Sequence, residues 1–301
     1  MRSCEEITVF ELVQVSESCY YVQSPAKIGI VRLDGDDVCL IDSGNDKDAG
    51  RKVRQILDSK GWNLRAIYNT HSHADHIGGN QYLQKQTGCR IFARGVECDF
   101  INHPILEPIS VYGGYPPDAL RRKFLLAQPS IAEPLTDDRM PEGFSVIPLP
   151  GHSFDMVGFR TPDDVVYLAD CIASRETLEK YGIVFIHDVG AYLDTLEMVR
   201  DMDAAMFVPA HADASEDMSE LAQFNMEKTN EVAERILGIC SVPRSFESIL
   251  GRLFTDYGLT MTFEQYALVG CTVRSYLSWL TGCGRISSEV SDGMVVWKAR
   301  S

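Results

Sequence analysis

His71, His73, Asp75 and His76 fall within six residues of the segment NTHSHADHIGG (Asn69–Gly79), in a chain with seven histidines in all. Neutral imidazoles and a carboxylate at this spacing form a ligand set suited to Zn²⁺, and also to Fe or Mn. No single regular element converges all four. On a strand, residues 71, 73 and 75 share a face and 76 points away. A strand end passing into a helix can gather them, and Gly78-Gly79 lets the backbone pass closely there. Taken alone, the segment also reads as a polar turn that happens to be rich in His.

Three distant side chains extend the set. His152 follows Pro-Gly in IPLPGHSFDMVGF, Asp170 ends the apolar run VVYLAD, and His211 ends AAMFVPAH. Three further strand-like runs thus each stop at a metal-capable side chain. Ligands placed at strand ends along one sheet edge make an active-site rim on a rigid scaffold.

The surrounding pattern supplies such strands. Ile7–Val15, Tyr20–Gln23, Ile28–Leu33 and Val38–Ile41 are rich in apolar and β-branched residues and separated by turns. Asp46–Lys60 has helical periodicity and stops at Gly61. Leu64–Tyr68 is a strand that delivers the His-rich segment, Ile77–Gln86 the next helix, and Arg90–Ala93 another strand. Strands are expected at Ser145–Leu149, Val157–Arg160, Val165–Leu168 and Ala205–Val208, with a helix near Tyr192–Met202. Residues 95–141 break this regularity. Dense in Pro and Gly around one expected helix, Asp118–Ala127, they read as a lid-like insertion.

The set His71-x-His73-x-Asp75-His76, Gly151-His152, Asp170 and His211 resembles the metallo-β-lactamase-fold hydrolase superfamily. Leu40–Gly44 (LIDSG) is similar to that family's early strand-turn, whose Asp, here Asp42, sits behind the metals. The resemblance covers about residues 7–213 apart from the insertion. It implies an α/β fold of four layers, an αββα sandwich. It also implies one metal on His71, His73 and His152, a second on Asp75, His76 and His211, and Asp170 bridging them. Two cations about 3.5–4 Å apart suit an anionic bridge and a shared hydroxide nucleophile. Asp75 and His211 are then the candidate catalytic residues. A Cys commonly stands where this chain has Asp170 in the true β-lactamases, so antibiotic hydrolysis is not expected. Adjacent Cys171 reads as packing.

Composition narrows the class. With 301 residues, 45% hydrophobic and 24% charged, the chain has the make-up of an ordinary globular protein. No apolar run approaches the roughly 18 residues of a membrane span, and the N-terminal residues lack a signal-peptide pattern. Nine cysteines without a CxxC pair read as reduced thiols. Together these predict a cytoplasmic protein without a membrane partner. A net charge of −15 opposes broad attraction to nucleic acid.

Beyond residue 213, helices at Met218–Gly238, Phe246–Phe254 and Gln265–Leu280 and a hairpin at Arg285–Lys298 predict a winged-helix-like appendage (214–301). It holds eight basic and eleven acidic side chains from Glu216 onward. A phosphate-reading face should be basic, so dimerisation or closure of the active site is the expected role. Tyr112 and Tyr115 in the insertion and His187 beside Asp188 are candidate substrate-side residues. The resulting reading is a dinuclear metallohydrolase acting on a small ester, thioester or lactone. The alternatives are a phosphodiesterase or RNA-processing nuclease, an iron-dependent oxidoreductase or dioxygenase, and a non-catalytic interaction protein.

Overall fold

A computed structural model of the chain describes residues 10–300. Seven strands form the first sheet in sequential order: β1 (Glu11–Gln14), β2 (Cys19–Gln23), β3 (Ile28–Arg32), β4 (Asp37–Ile41), β5 (Asn63–Tyr68), β6 (Arg90–Ala93) and β7 (Ala132–Pro134). β1 to β4 pair antiparallel, and β4 to β7 pair parallel. The second sheet has the order β11 (Met206–Pro209), β10 (Val165–Ala169), β9 (Val157–Arg160), β8 (Ser145–Pro148).

The period of two in these strands sorts side chains between layers. Cys39, Ile41, Val165 and Tyr167 meet in the core between the sheets, with Tyr68, Phe92, Phe159 and Val208. Their neighbours Val38 and Leu40 face outward under α1 (Lys47–Lys60) and α3 (Asn80–Thr87), through Val53, Leu57 and Leu83. Val166, Leu168 and Phe207 face the other way, under α7 (Val189–Arg200) and α8 (Ser219–Ile239). The result is the expected four-layer αββα sandwich. α1 is delimited as its sequence predicts, with Asp46 accepting from two backbone N–H groups at the start and Gly61 left-handed at the end.

The expected helix at Ile77–Gln86 is two pieces, α2 (Ala74–Ile77) and α3, broken at Gly78-Gly79. A Cβ on Gly78 would collide with the Asn45 carbonyl group, and one on Gly79 with the Ser43 carbonyl oxygen. Close passage of two backbones thus overrides helical continuity. The insertion is also more regular than expected. It begins with α4 (Gly95–Asn102) and α5 (Leu106–Tyr112), and β7 within it forms the edge of the first sheet. The expected helix Asp118–Ala127 is a single 3-10 turn, Asp118–Leu120. Leu120 and Leu125 bury there without a helix. A short helix, α6 (Arg175–Tyr181), lies where none is expected. Of the strand expected at Ile7–Val15, residues 7–9 lie outside the described residues.

The remaining elements are β12 (Arg244–Ser245), α9 (Phe246–Asp256), α10 (Phe263–Gly282), β13 (Ile286–Ser291) and β14 (Met294–Ala299). The three strands form a small sheet ordered β12-β14-β13. Their helices share one buried cluster with the second sheet, from Leu149 through Leu196 and Ile236 to Leu280 and Ile286. Among the described residues no helix is long and apolar enough to cross a membrane. All eight described cysteines are free thiols, and Cys171 is fully buried in that cluster.

Candidate metal centre

Four strand ends position the site. β5 runs into Asn69–His73, and His73 opens α2, whose first turn carries Asp75 and His76. After β8, Gly151 turns the chain at φ 119°, where a Cβ would strike the Tyr192 backbone, and presents His152. β10 ends at Ala169, itself left-handed at φ 53°, immediately before Asp170. β11 ends at Pro209, two residues before His211.

These turns bring the seven side chains together as two groups. Donor atoms of His71, His73 and His152 lie within 4.8 Å of one another, and so do those of Asp75, His76, Asp170 and His211. Asp170 stands between the groups. Its Oδ2 is 3.5 Å from His152 Nε2 and 3.3 Å from His211 Nε2, and its Oδ1 is 3.1 Å from His76 Nε2. Asp75 and His211 form the mouth, with side chains 40% and 31% exposed and 3.2 Å between Oδ2 and Nε2.

The polar atoms at the centre fit a cation better than they fit one another. His152 Nε2 and His73 Nδ1 face each other at 3.0 Å. Among the described residues, His71 Nε2, His76 Nε2 and Asp170 Oδ1 are buried without a hydrogen-bond partner, the last two despite their proximity. Such groups carry a desolvation cost unless something electrophilic engages them. Residues of these types also match the donors that divalent cations take.

The far side of four of the five rings is occupied, which turns the other nitrogen inward. His76 Nδ1 pairs with Asp42 Oδ2 at 2.8 Å, His152 Nδ1 with the Phe185 carbonyl at 3.0 Å, and His211 Nδ1 with the Pro25 carbonyl at 2.9 Å. His71 Nδ1 lies 2.9 Å from Thr70 Oγ1, whose own hydrogen goes to Asp42 Oδ2. Asp42, buried and left-handed at φ 63°, also accepts from the Thr70 amide. It therefore orients two histidines at once.

Charge divides the two groups. Burial, reinforced by neighbouring histidines, drives His71 well below the usual imidazole range and His73 down to about 3, and burial also lowers His152. Burial acts the same way on His76 and His211, but Asp170 and Asp75 outweigh it. They hold His76 well above its ordinary value and His211 at about 10. Burial thus lowers the imidazoles of one group, and the carboxylates raise those of the other.

Two buried acids in the 95–141 segment, Glu97 and Glu107, escape sequence reading. Glu97 accepts from the Ser72 amide at 2.9 Å, Ser153 Oγ at 2.6 Å and the Asp155 amide at 3.0 Å. It ties the loop of His71 and His73 to the loop of His152. Glu107 lies 3.4 Å from His73 Nε2, and burial pushes its carboxyl up to about 8, with Glu97 adding to the shift. Lys27, outside that segment, also escapes it: its Nζ donates to the Ala212 carbonyl beside His211. A lone Glu or Lys carries no spacing signal.

Tyr112, Tyr115 and His187 are not joined to the seven donors by any hydrogen bond or ring contact among the described residues. Tyr112 faces Phe263 at 6.1 Å, the exposed Tyr115 lies under Arg121, and His187 packs on Phe154 at 4.0 Å.

Comparison with known proteins points one way. The sequence model described as "Metallo-beta-lactamase superfamily" matches residues 21–211. The probable metallo-hydrolase YybB of Bacillus subtilis (strain 168) is 28% identical over 187 residues, 60% of this chain and 78% of that protein. A hydroxyacylglutathione hydrolase of Methylococcus capsulatus is 49% identical, but over 39 residues, 13% of this chain and only 15% of that enzyme. A beta-lactamase domain protein from Burkholderia ambifaria superposes with a TM-score of 0.74 at 16% identity, covering 97% of this chain and 94% of its own.

Proposed function

The chain belongs to the metallo-beta-lactamase superfamily, and we propose that it is a dinuclear metal-dependent hydrolase of small thioesters or esters. The observation that carries this reading is the placement of Asp170 between an all-histidine group and a mixed Asp/His group. A carboxylate so placed suits two cations rather than one. His71, His73 and His152 would hold the first, Asp75, His76 and His211 the second, with Asp170 shared. The ligand types favour zinc. When bound, the ions supply Lewis acidity toward the scissile carbonyl and toward water.

The protein's own residues do the rest. Asp42, Thr70 and the Pro25 and Phe185 carbonyls fix the imidazole tautomers, so the donor atoms are preorganised before substrate arrives. Asp75, partly exposed at the mouth, is placed to accept a hydrogen bond from the attacking water and orient it. His211 beside it faces the substrate side. No Ser or Cys nucleophile is needed, and buried Cys171, whose pKa burial raises, is no candidate.

The likeness to hydroxyacylglutathione hydrolases, though short, supports a thioester over the other substrate classes. We read α8–β14 as a winged-helix-like unit, from its order of helix, strand, two helices and hairpin. Its long helix α10 carries one cation, Arg274, so the nuclease reading gains no support there. The test is hydrolysis by the zinc-loaded protein of a thioester, a carboxyl ester, a lactone and a phosphodiester. Turnover of the thioester or ester is expected; turnover of the phosphodiester alone would overturn the reading.

A further inference from the structure

A cavity of about 620 Å³ lies between α5, the His187-Asp188 segment and α10. Two stretches of chain connect its wall to residues that touch the metal centre. α5 carries Glu107 against His73, and Ser110 of the cavity wall lies one turn further on. The Phe185 carbonyl holds His152, and two residues later His187 lines the cavity. Tyr112 and Trp279 give the wall an aromatic surface.

Arg274 is the only Arg or Lys in the wall among the described residues. Its guanidinium carbon stands 4.0 Å from the centre of the Phe246 ring, a contact that fixes the plane of the group. Among the described residues no carboxylate lies within the 4.0 Å of an ion pair with it. Asp188, the acid of the wall, is engaged in capping α7 by accepting from the Ala191 amide at 3.1 Å. The Ser275 hydroxyl is likewise engaged, donating to the His187 carbonyl at 2.7 Å. In a chain of net charge −15, a fixed arginine without an acid partner is set for an anion that the protein does not supply.

We propose that this cavity is a substrate subsite in which Arg274 binds a carboxylate carried by the acyl group, on the side away from the scissile bond. The planar guanidinium fork matches a planar carboxylate with two parallel hydrogen bonds. Tyr112 and Trp279 cover the intervening methylene groups. The substrate class becomes the monothioester or monoester of a short dicarboxylic acid. The inference rests on the hydrolase reading.

Two measurements separate the inference from that reading. Calorimetry of the zinc-loaded protein with glutarate, against neutral glutaramide, reports the subsite directly. Glutarate should bind, and Arg274→Gln should weaken it at least tenfold, whereas Arg252→Gln, whose arginine pairs with Asp256, should not. Kinetics with the monothioester of glutaric acid and its terminal amide should show a kcat/KM preference for the acid, which Arg274→Gln removes. Glutarate binding unaltered by Arg274→Gln, or equal kcat/KM for acid and amide, would overturn the subsite while leaving the hydrolase reading in place. Arg274-dependent glutarate binding without turnover of any ester or thioester would do the reverse.

Discussion

Asp42 shows how much of the site is decided by single residues. Its left-handed backbone, full burial and contacts to Thr70 and His76 have one common effect, the orientation of inward-facing imidazoles. Replacing such a partner typically costs 10–100-fold in metal affinity. Asp42→Ala should therefore bind zinc about 10–100-fold more weakly in a chelator competition, with its circular dichroism unchanged. His73→Ala and Asp170→Ala should go further and abolish turnover while the fold persists. Wild-type activity in either would remove that residue from the ligand set. The crowding of His71, His73, Asp75 and His76 made half the site legible, and the strand-end positions of His152, Asp170 and His211 supplied the rest. Glu97 and Glu107 were not legible, because a buried acid is recognised by its partners, and these are distant in sequence. The backbone carbonyls of Pro25 and Phe185 leave no trace in residue identity at all.

At the scale of elements, close approaches of backbone position the candidate donors. Gly151→Ala would combine a strained positive φ with a collision against the Tyr192 backbone. The variant should lose about 2–3 kcal/mol of stability, and its metal content should fall because His152 must move. Chemical denaturation and elemental analysis check both. Between the sheets, Asp163 clamps the β1–β2 turn, accepting from Ser16 Oγ at 2.6 Å and from the Ser18 amide and hydroxyl at 2.8 Å each. These bonds, that from Ser16 foremost, lower its pKa. A depressed carboxyl stabilises the fold above its unfolded value of about 4 and stops doing so as pH falls through the lower native value. Asp163→Asn should thus be less stable than the parent by about 1 kcal/mol near pH 7, a gap that closes below about pH 4. A gap independent of pH would mean that the charge is not what matters. The strands were legible because alternation is short-range. The break at Gly78-Gly79 and the absent helix at 118–127 were not, since both depend on what packs against those segments.

Across the whole molecule, the sandwich and the C-terminal elements are stabilised together. Tyr192, Leu196 and Val199 of α7 bury in the same cluster as Ile236 of α8 and Val273 and Leu280 of α10. A chain ending at residue 213 would expose that face, and it should be insoluble or bind a hydrophobic dye where the full chain does not. The sequence showed that helices and a hairpin follow the sandwich. It could not show that they complete its core, because shared burial links residues more than 100 positions apart. The central claim concerns what the seven donors do together, and one titration addresses it. Metal-free protein is titrated with zinc while hydrolysis of a thioester is followed. Activity should be absent at the start and reach its plateau at two equivalents of zinc per chain. Full activity before zinc is added, or a plateau at one equivalent, would contradict the dinuclear centre.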